Sequence, residues 1–296
     1  MTIEARFAHV RDYVRQHPGS DLALPTLARE AHLSAYHFHR MFKLYCGETV
    51  GQFVQRTRVT LAAAALRANR KLTVAVAASQ YGYESPDGFS RAFRRQFGIT
   101  PSSWNRSDPL QERKIGRDSQ QFPVYAVPEL SEQVRRLDLA PTIVHSDAVP
   151  VCFVRIADAY QNSDRVMERY QELLDWYRRT VADGPPRLYG TSWDDPDLTP
   201  LERCTFEWAV AVPSGVRPPS WAALRTIPPL TSVRMPVAGG LELEDLIWQY
   251  LYRAWLPEST FTPAHAPAME IYNTPPDITG WETFDLWCAL PLAPRR

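Results

Sequence analysis

The stretch "SPDGFSRAFRRQFGITPSSW", residues 85–104, sets three phenylalanines four residues apart among a run of arginines. Phe89, Phe93 and Phe97 fall on one helical stripe, the spacing that suits burial. Ser90, Arg91, Arg94 and Arg95 project away from that stripe. A solvated charged face accounts for an isolated arginine-rich helix as well as a nucleic-acid-binding face does. The surrounding sequence has to decide between them.

An internal repeat decides. Shifted by 51 residues, "SAYHFHRMFKLYCGETVGQF" (34–53) lies over 85–104: Ser34 on Ser85, Phe38 on Phe89, Arg40 on Arg91, Phe42 on Phe93, Gly47 on Gly98. Each copy follows a short helical pattern and a tight break, "LPTLAREA" into "HLS" and "LTVAVAASQ" into "YGYES". Ser34 and Ser85 are good N-caps, Pro86 suits a first helical position, and Gly47 and Gly98 stand where a left-handed C-terminal cap is wanted. Helix, tight turn, capped helix is a helix-turn-helix, here present twice. Between the copies, 49–69 is rich in alanine and leucine and predicts one connecting helix of roughly 27 Å at about 1.5 Å per residue. Such a helix can hold two recognition helices about one DNA turn, roughly 34 Å, apart. DNA binding then outweighs the solvated face.

The charge balance agrees. The 296 residues carry equal numbers of basic and acidic side chains, but residues 1–108 hold 15 Lys+Arg against 8 Asp+Glu, leaving 18 against 25 in the remainder. Eight of nine tryptophans and 22 of 26 prolines also lie after residue 108. Two halves so unlike predict two domains, the first facing a polyanion. The polar stretch 105–121 reads as a linker, so domains are expected at 1–108 and 130–296 with 109–129 between them. No apolar run is long enough to span a membrane and the first residues lack a signal peptide's hydrophobic region, so a cytoplasmic protein with no membrane partner is expected. Cys46, Cys152, Cys204 and Cys288 form no CxxC pair and read as reduced structural thiols.

The blocks "LAREAHLSAYHFHRMFK" and "VAASQYGYESPDGFSRAFRRQFGITPSSW" resemble the AraC/XylS DNA-binding domain over about residues 5–107, with Tyr83 where the family usually has Phe. The resemblance implies an all-α domain that reads two adjacent major grooves from one chain. It places Tyr36, His39 and Arg40 at base-contacting positions of the first reading helix and Asp87, Ser90 and Arg91 at those of the second. Arg can fork onto guanine, and Tyr36 can meet a thymine methyl. Arg94 is close enough for a phosphate or a base. Asp87 either accepts from cytosine N4 or caps its helix beside Pro86, the cap being favoured. Lys43, Arg95 and Arg106 read as phosphate contacts. His37 and His39 lie two apart on a helix and do not converge on a metal.

Residues 130–292 read as an α+β domain. Strands are predicted at "QVRRLDL", "VPVCFVRI", "RLYGTSW", "TFEWAVAV", "PAMEIYN" and "TFDLWCALPL", with an extended stretch at "WAALRTIPPLTSVRMPV" and helices at 163–181 and 242–256. Each half ends strand–helix–strand–strand, which predicts a pseudo-twofold antiparallel sheet backed by two helices. In "PAMEIY" (267–272), Ala268, Glu270 and Tyr272 share one face. A solvated glutamate is one explanation. The other is an aromatic cavity with one carboxylate, built with Tyr160, Tyr189, Trp193, Trp208, Trp255 and Trp281 and suited to a lipophilic cation. A plain core uses the same aromatics.

The stretches "YGTSWDDP" (189–196), "WLPES" (255–259), "PAMEIY" and "FDLWCALPL" resemble the GyrI-like effector-binding domain. That resemblance implies a small, often lipophilic cationic ligand, with Glu270 as its charged contact and Tyr272 beside it. "RIADAY" (155–160) lacks the family's usual His and Gly, and Glu207 replaces a more usual aspartate; both bear on pocket shape and ligand class. Three readings of this half remain: an effector sensor in a regulator that acts with RNA polymerase, a partner-docking module without ligand, and a hydrolase using Glu270 as base and Tyr272 as orienting hydroxyl. No nucleophile–base pair or metal constellation stands out, so a non-enzyme without cofactors is expected.

Overall fold

The computed structural model describes residues 3–111, 123–157, 159–181 and 184–295. They divide into two units, Met1–Asp108 and Pro109–Arg296. Most of the expected 109–129 connection, residues 112–122, lies outside the described residues.

Among its described residues the first unit is helical: α1 (Ile3–Gln16), α2 (Leu24–Glu30), α3 (Ala35–Cys46), α4 (Val50–Ala68), α5 (Val74–Gln80) and α6 (Pro86–Phe97). The hydroxyls of Ser34 and Ser85 accept from the backbone N–H of His37 and Gly88 and so open α3 and α6. Gly47 and Gly98 close them at φ of 69° and 77°, left-handed values that cost glycine nothing. Between those ends, Phe38, Phe42, Phe89 and Phe93 are fully buried. α4 starts with a capping box, Thr49 and Gln52, and packs against α1, α3, α5 and α6. From α4, the Arg58 guanidinium donates to the carbonyls of Pro18, Ser20 and Gly82, tying the α1–α2 connection and the α5–α6 turn to the connecting helix.

The two copies are not exact. Four residues (31–34) join α2 to α3, and five (81–85) join α5 to α6. Residues 105–108, read above as the start of a linker, belong to the first unit: the Trp104 indole N–H donates to the Asp108 carbonyl at 3.1 Å. Arg106 is also reassigned. Its Nη1 lies 3.0–3.2 Å from the carbonyls of Leu66, Asn69, Arg70 and Leu72, so it secures the end of α4 instead of reaching toward a phosphate.

The second unit opens with α7 (Val127–Arg136), then β1 (Thr142–Ser146), β2 (Val149–Ala157), α8 (Ser163–Thr180), β3 (Leu188–Ser192) and β4 (Thr205–Ala211). Next come β5 (Ala223–Ile227), β6 (Leu230–Gly239) and α9 (Leu241–Gln249), which runs on through a π-helical turn (Tyr250–Trp255) into α10 (Leu256–Glu258). β7 (Phe261–Pro263), β8 (Ala268–Thr274), α11 (Pro276–Thr279) and β9 (Phe284–Pro294) complete it. The strand order β1-β6-β9-β8-β3-β4-β2-β5 is antiparallel throughout, with β7 added on β9. It is symmetric about the β8–β3 seam, because β2-α8-β3-β4 and β6-α9-β8-β9 occupy corresponding places. The α+β architecture with a pseudo-twofold sheet is thus as expected.

The "QVRRLDL" strand is not. Those residues lie at and beyond the end of α7, where Leu130 and Val134 are buried at i, i+4 spacing and Pro128 and Glu129 form a helix start. Leu130 packs with Leu246 and Ala254, against α9 and its continuation. Taken by itself, the short segment's alternation mimics a strand period; the helix begins before it. The first strand is Thr142–Ser146 instead.

Candidate functional site

In the first unit, α3 and α6 each bury a phenylalanine stripe and expose the opposite face. On α3, Tyr36, His39, Arg40 and Lys43 are all exposed. Arg40 Nη1 donates to the Tyr36 hydroxyl at 3.1 Å, with its guanidinium 5.6 Å from the ring centre. On α6, Asp87, Arg91, Arg94 and Arg95 are exposed and Ser90 is half-buried. Ser85 takes the capping role that the sequence favoured for Asp87. Asp87 lies in the first turn, where the helix dipole favours a negative charge.

In the second unit the pleat puts Trp208 (β4), Gly190 (β3), Glu270 (β8) and Cys288 (β9) in one row, each register partner of the next. α8 covers the Trp208 part of this face through Tyr170, Leu173, Leu174 and Tyr177. Gly190 has a specific reason to be glycine: a Cβ there would stand 2.5 Å from both Glu270 Oε2 and Phe206 Cζ. The Tyr272 hydroxyl donates to the same Glu270 oxygen at 2.6 Å. Around the pair, ring centres lie 5.3 Å apart for Trp208–Tyr272, 6.1 Å for Trp208–Trp281 and 5.0 Å for Tyr170–Trp281. Gly280 and Trp281 both take left-handed backbone, φ 91° and 64°, as the chain leaves α11 toward β9. Tyr160, Tyr272, Trp281 and Glu270 are each half-buried, whereas Trp208 is 2% exposed.

The electrostatics of this cluster are those of acid groups raised above their ordinary range. Burial pushes the Glu270 carboxyl up from its ordinary range, opposed by hydrogen bonds with Tyr272 and Glu244. Burial, and then the Glu270 charge, push the α9 residue Glu244 well up as well. The Tyr272 phenol is raised by burial and by both carboxylates. Tyr160, whose hydroxyl lies 3.4 Å from Ser192 Oγ, is raised mainly by burial.

One residue along, on the opposite face, is a different glutamate. Glu207 is 0% exposed, ion-paired to Arg155 and, at 2.6 Å, to Arg225. The Thr191 hydroxyl donates to it at 2.9 Å. The Arg225 guanidinium stacks 4.5 Å above the Phe153 ring. Burial alone would raise this carboxyl, but the two arginines and Thr191 hold it down at about 2. Glu207 therefore does not shape the aromatic site, as its place in the resemblance had implied; it closes the other face of the sheet.

Residues 27–107 match the helix-turn-helix domain family, and residues 139–290 match the GyrI-like small molecule binding domain. The chain belongs to the AraC-type regulators that carry a GyrI-like domain. The regulatory protein SoxS of Escherichia coli K12 is 33% identical over 31% of this chain and 85% of its own length. The right origin-binding protein of the same organism is 34% identical over 60% of this chain and 58% of its own length. The transcriptional regulator Rob of Salmonella typhimurium is 27% identical over 68% of this chain and 66% of its own length. The match with these last two thus spans less than two thirds of their length.

Within this AraC-type, GyrI-like chain, the fold gathers Glu270, Tyr272, Trp208 and Trp281 into one cluster and sets Tyr160 within electrostatic reach. Trp255 stacks on Phe261 instead, ring centres 6.4 Å apart. Trp193 sits just past β3, beside Ser192 and Asp194. Tyr189 points to the Glu207 side, where its hydroxyl accepts from Arg187 at 3.1 Å. Sequence reading missed Tyr170, Phe206, Gly190 and Glu244. A glycine inside the predicted strand "RLYGTSW" was the available signal for Gly190. The acids of "ELEDLIW" carried no comparable mark for Glu244.

Proposed function

We propose that this protein is a sequence-specific DNA-binding transcription regulator whose second domain senses a small lipophilic or cationic effector. The observation that carries this reading is one exposed face presented twice, by α3 and by α6, each on a capped helix with a buried aromatic back. The reader spans 1–108. Tyr36, His39, Arg40, Asp87, Ser90 and Arg91 read base edges, and Lys43 and Arg94 hold phosphates. Affinity falls steeply with salt, as phosphate contacts require. The names of the relatives, an origin-binding protein and two regulators, support the same reading. RNA polymerase is the partner on which such a regulator acts. In a site-selection experiment followed by anisotropy titrations, Arg91→Ala weakens the selected site by about 1–3 kcal/mol and spares random DNA. Equal loss on both moves Arg91 to the phosphate class.

The effector domain spans 130–296. Glu270 supplies the negative charge, Tyr160, Tyr272 and Trp281 the accessible aromatic lining, and Trp208 its floor. Trp193 and Trp255 belong to this domain's aromatic set. Binding shifts the population of states available to the DNA-binding half. Tetraphenylphosphonium, a lipophilic cation, raises the thermal midpoint of the full chain more than neutral triphenylmethanol does, and Glu270→Gln removes that difference. Equal stabilisation by the neutral compound would sink the cationic reading and leave a neutral pocket or a docking module.

A further inference from the structure

Two carboxyl groups meet at the seam of the sheet, and only one of them has a role so far. Glu244 comes from α9, is 7% exposed, and exchanges a side-chain hydrogen bond with Glu270 of β8. Each carboxyl is also held by a neutral donor: the Trp248 indole N–H reaches Glu244 Oε1 at 3.2 Å, and the Tyr272 hydroxyl reaches Glu270 Oε2 at 2.6 Å. Among the described residues, the other titratable groups acting here are Tyr160 from the segment after β2, Cys288 from β9 and Asp245 from α9. These groups supply no positive charge. Two carboxylates this close in a poorly hydrated site cannot both stay ionised without a cation between them. In the unliganded protein that cation is a proton.

We propose that Glu244 is a second effector-binding residue: with Glu270 it forms an acid pair that holds one proton until a cationic centre displaces it to solvent. The inference rests on the cation-sensing reading above and adds its specificity and its pH dependence. The proton and the effector's charge compete for one place, so cation affinity rises with pH above the ordinary carboxylate range. The slope reaches at most about tenfold per pH unit, the limit for one linked proton. A neutral aromatic has nothing to exchange and shows no such slope.

The test is calorimetric titration of the full chain with tetraphenylphosphonium in two buffers of different ionisation enthalpy, repeated across pH. The difference in apparent enthalpy counts protons released. The wild type is expected to release up to one proton per cation, with affinity climbing with pH. Glu244→Gln, nearly isosteric, is expected to release none and to bind with flat pH dependence. Infrared difference spectra supply a readout that needs no variant: a protonated-carboxyl C=O band in the free protein, bleached when the cation binds. Cation binding with no proton release and no band change overturns the acid pair and leaves the effector site standing. No cation binding at all, or binding indifferent to Glu270→Gln, overturns the effector site and the pair together. Proton release that persists unchanged in a folded Glu244→Gln protein also overturns the assignment to Glu244.

Discussion

Glu207 and Glu270 are two strands apart in the same sheet and one residue out of register, which puts them on opposite faces. Their side chains meet opposite surroundings. Glu207 has two arginines and a threonine hydroxyl within reach and is held ionised down to about pH 2. Glu270 has a phenol and a second carboxylic acid, and its own acid is weakened. Burial pushes both carboxyls the same way, so the partner and not the burial decides the charge. A glutamate whose countercharge is built in closes a structure. A glutamate paired with another acid is, on the reading proposed above, where a cation binds.

Removing the built-in partner should have the largest effect. Glu207→Gln leaves Arg155 and Arg225 facing each other in a closed site, and about 3–5 kcal/mol of stability should be lost in urea unfolding. A loss under about 1 kcal/mol, the surface-pair range, would mean the arginines relax to water and the face is open. Next is Gly190→Ala. The new methyl must displace the Glu270 carboxyl or Phe206, costing about 1–3 kcal/mol and weakening cation binding together with stability. An unchanged affinity would show that Glu270 can move without consequence.

The comparison also predicts two pH limbs of opposite sign in thermal midpoints. Glu207, lowered to about 2 from its ordinary 4.5, contributes stability present above the unfolded value and lost as pH falls toward 2. Glu244 and Glu270 are raised, so the folded state binds more protons than the unfolded chain. Their contribution is complete below the unfolded value and is lost as pH rises through the folded one. Glu207→Gln should remove the acid limb, and Glu244→Gln should flatten the limb on the other side. A single limb that neither substitution alters would refute the contrast. The smallest effect is expected from Phe153→Leu, which takes the ring from beneath Arg225 and should cost about 1 kcal/mol. No loss would show that the ion pairs alone position the guanidinium.

What was legible in the sequence was local. Ser34, Ser85, Gly47 and Gly98 act within a few residues of themselves, and the phenylalanine stripes repeat at helical spacing, so two helix-turn-helix units could be read without neighbours. Where a segment was cut from its context, the reading failed: "QVRRLDL" kept its alternation and lost the helix start at Pro128 and Glu129. Arg106 read as a phosphate contact because a sequence shows its charge and not the four carbonyls waiting for it.

The same division runs through the second unit. Strand alternation by itself puts Glu270 and Tyr272 on one face, since period two is a property of the strand. Which charge stands opposite a side chain depends on register between strands distant in the chain, and on which helix lies over that face. Glu207 meets Arg155 from β2 and Arg225 from β5, while Glu270 meets Glu244 from α9. Sequence therefore determined the repeat, most of the elements and the shared face of Glu270 and Tyr272. Tertiary structure alone decided which buried acid is neutralised from within and which is paired with another acid, because electrostatic partners are chosen by proximity in space.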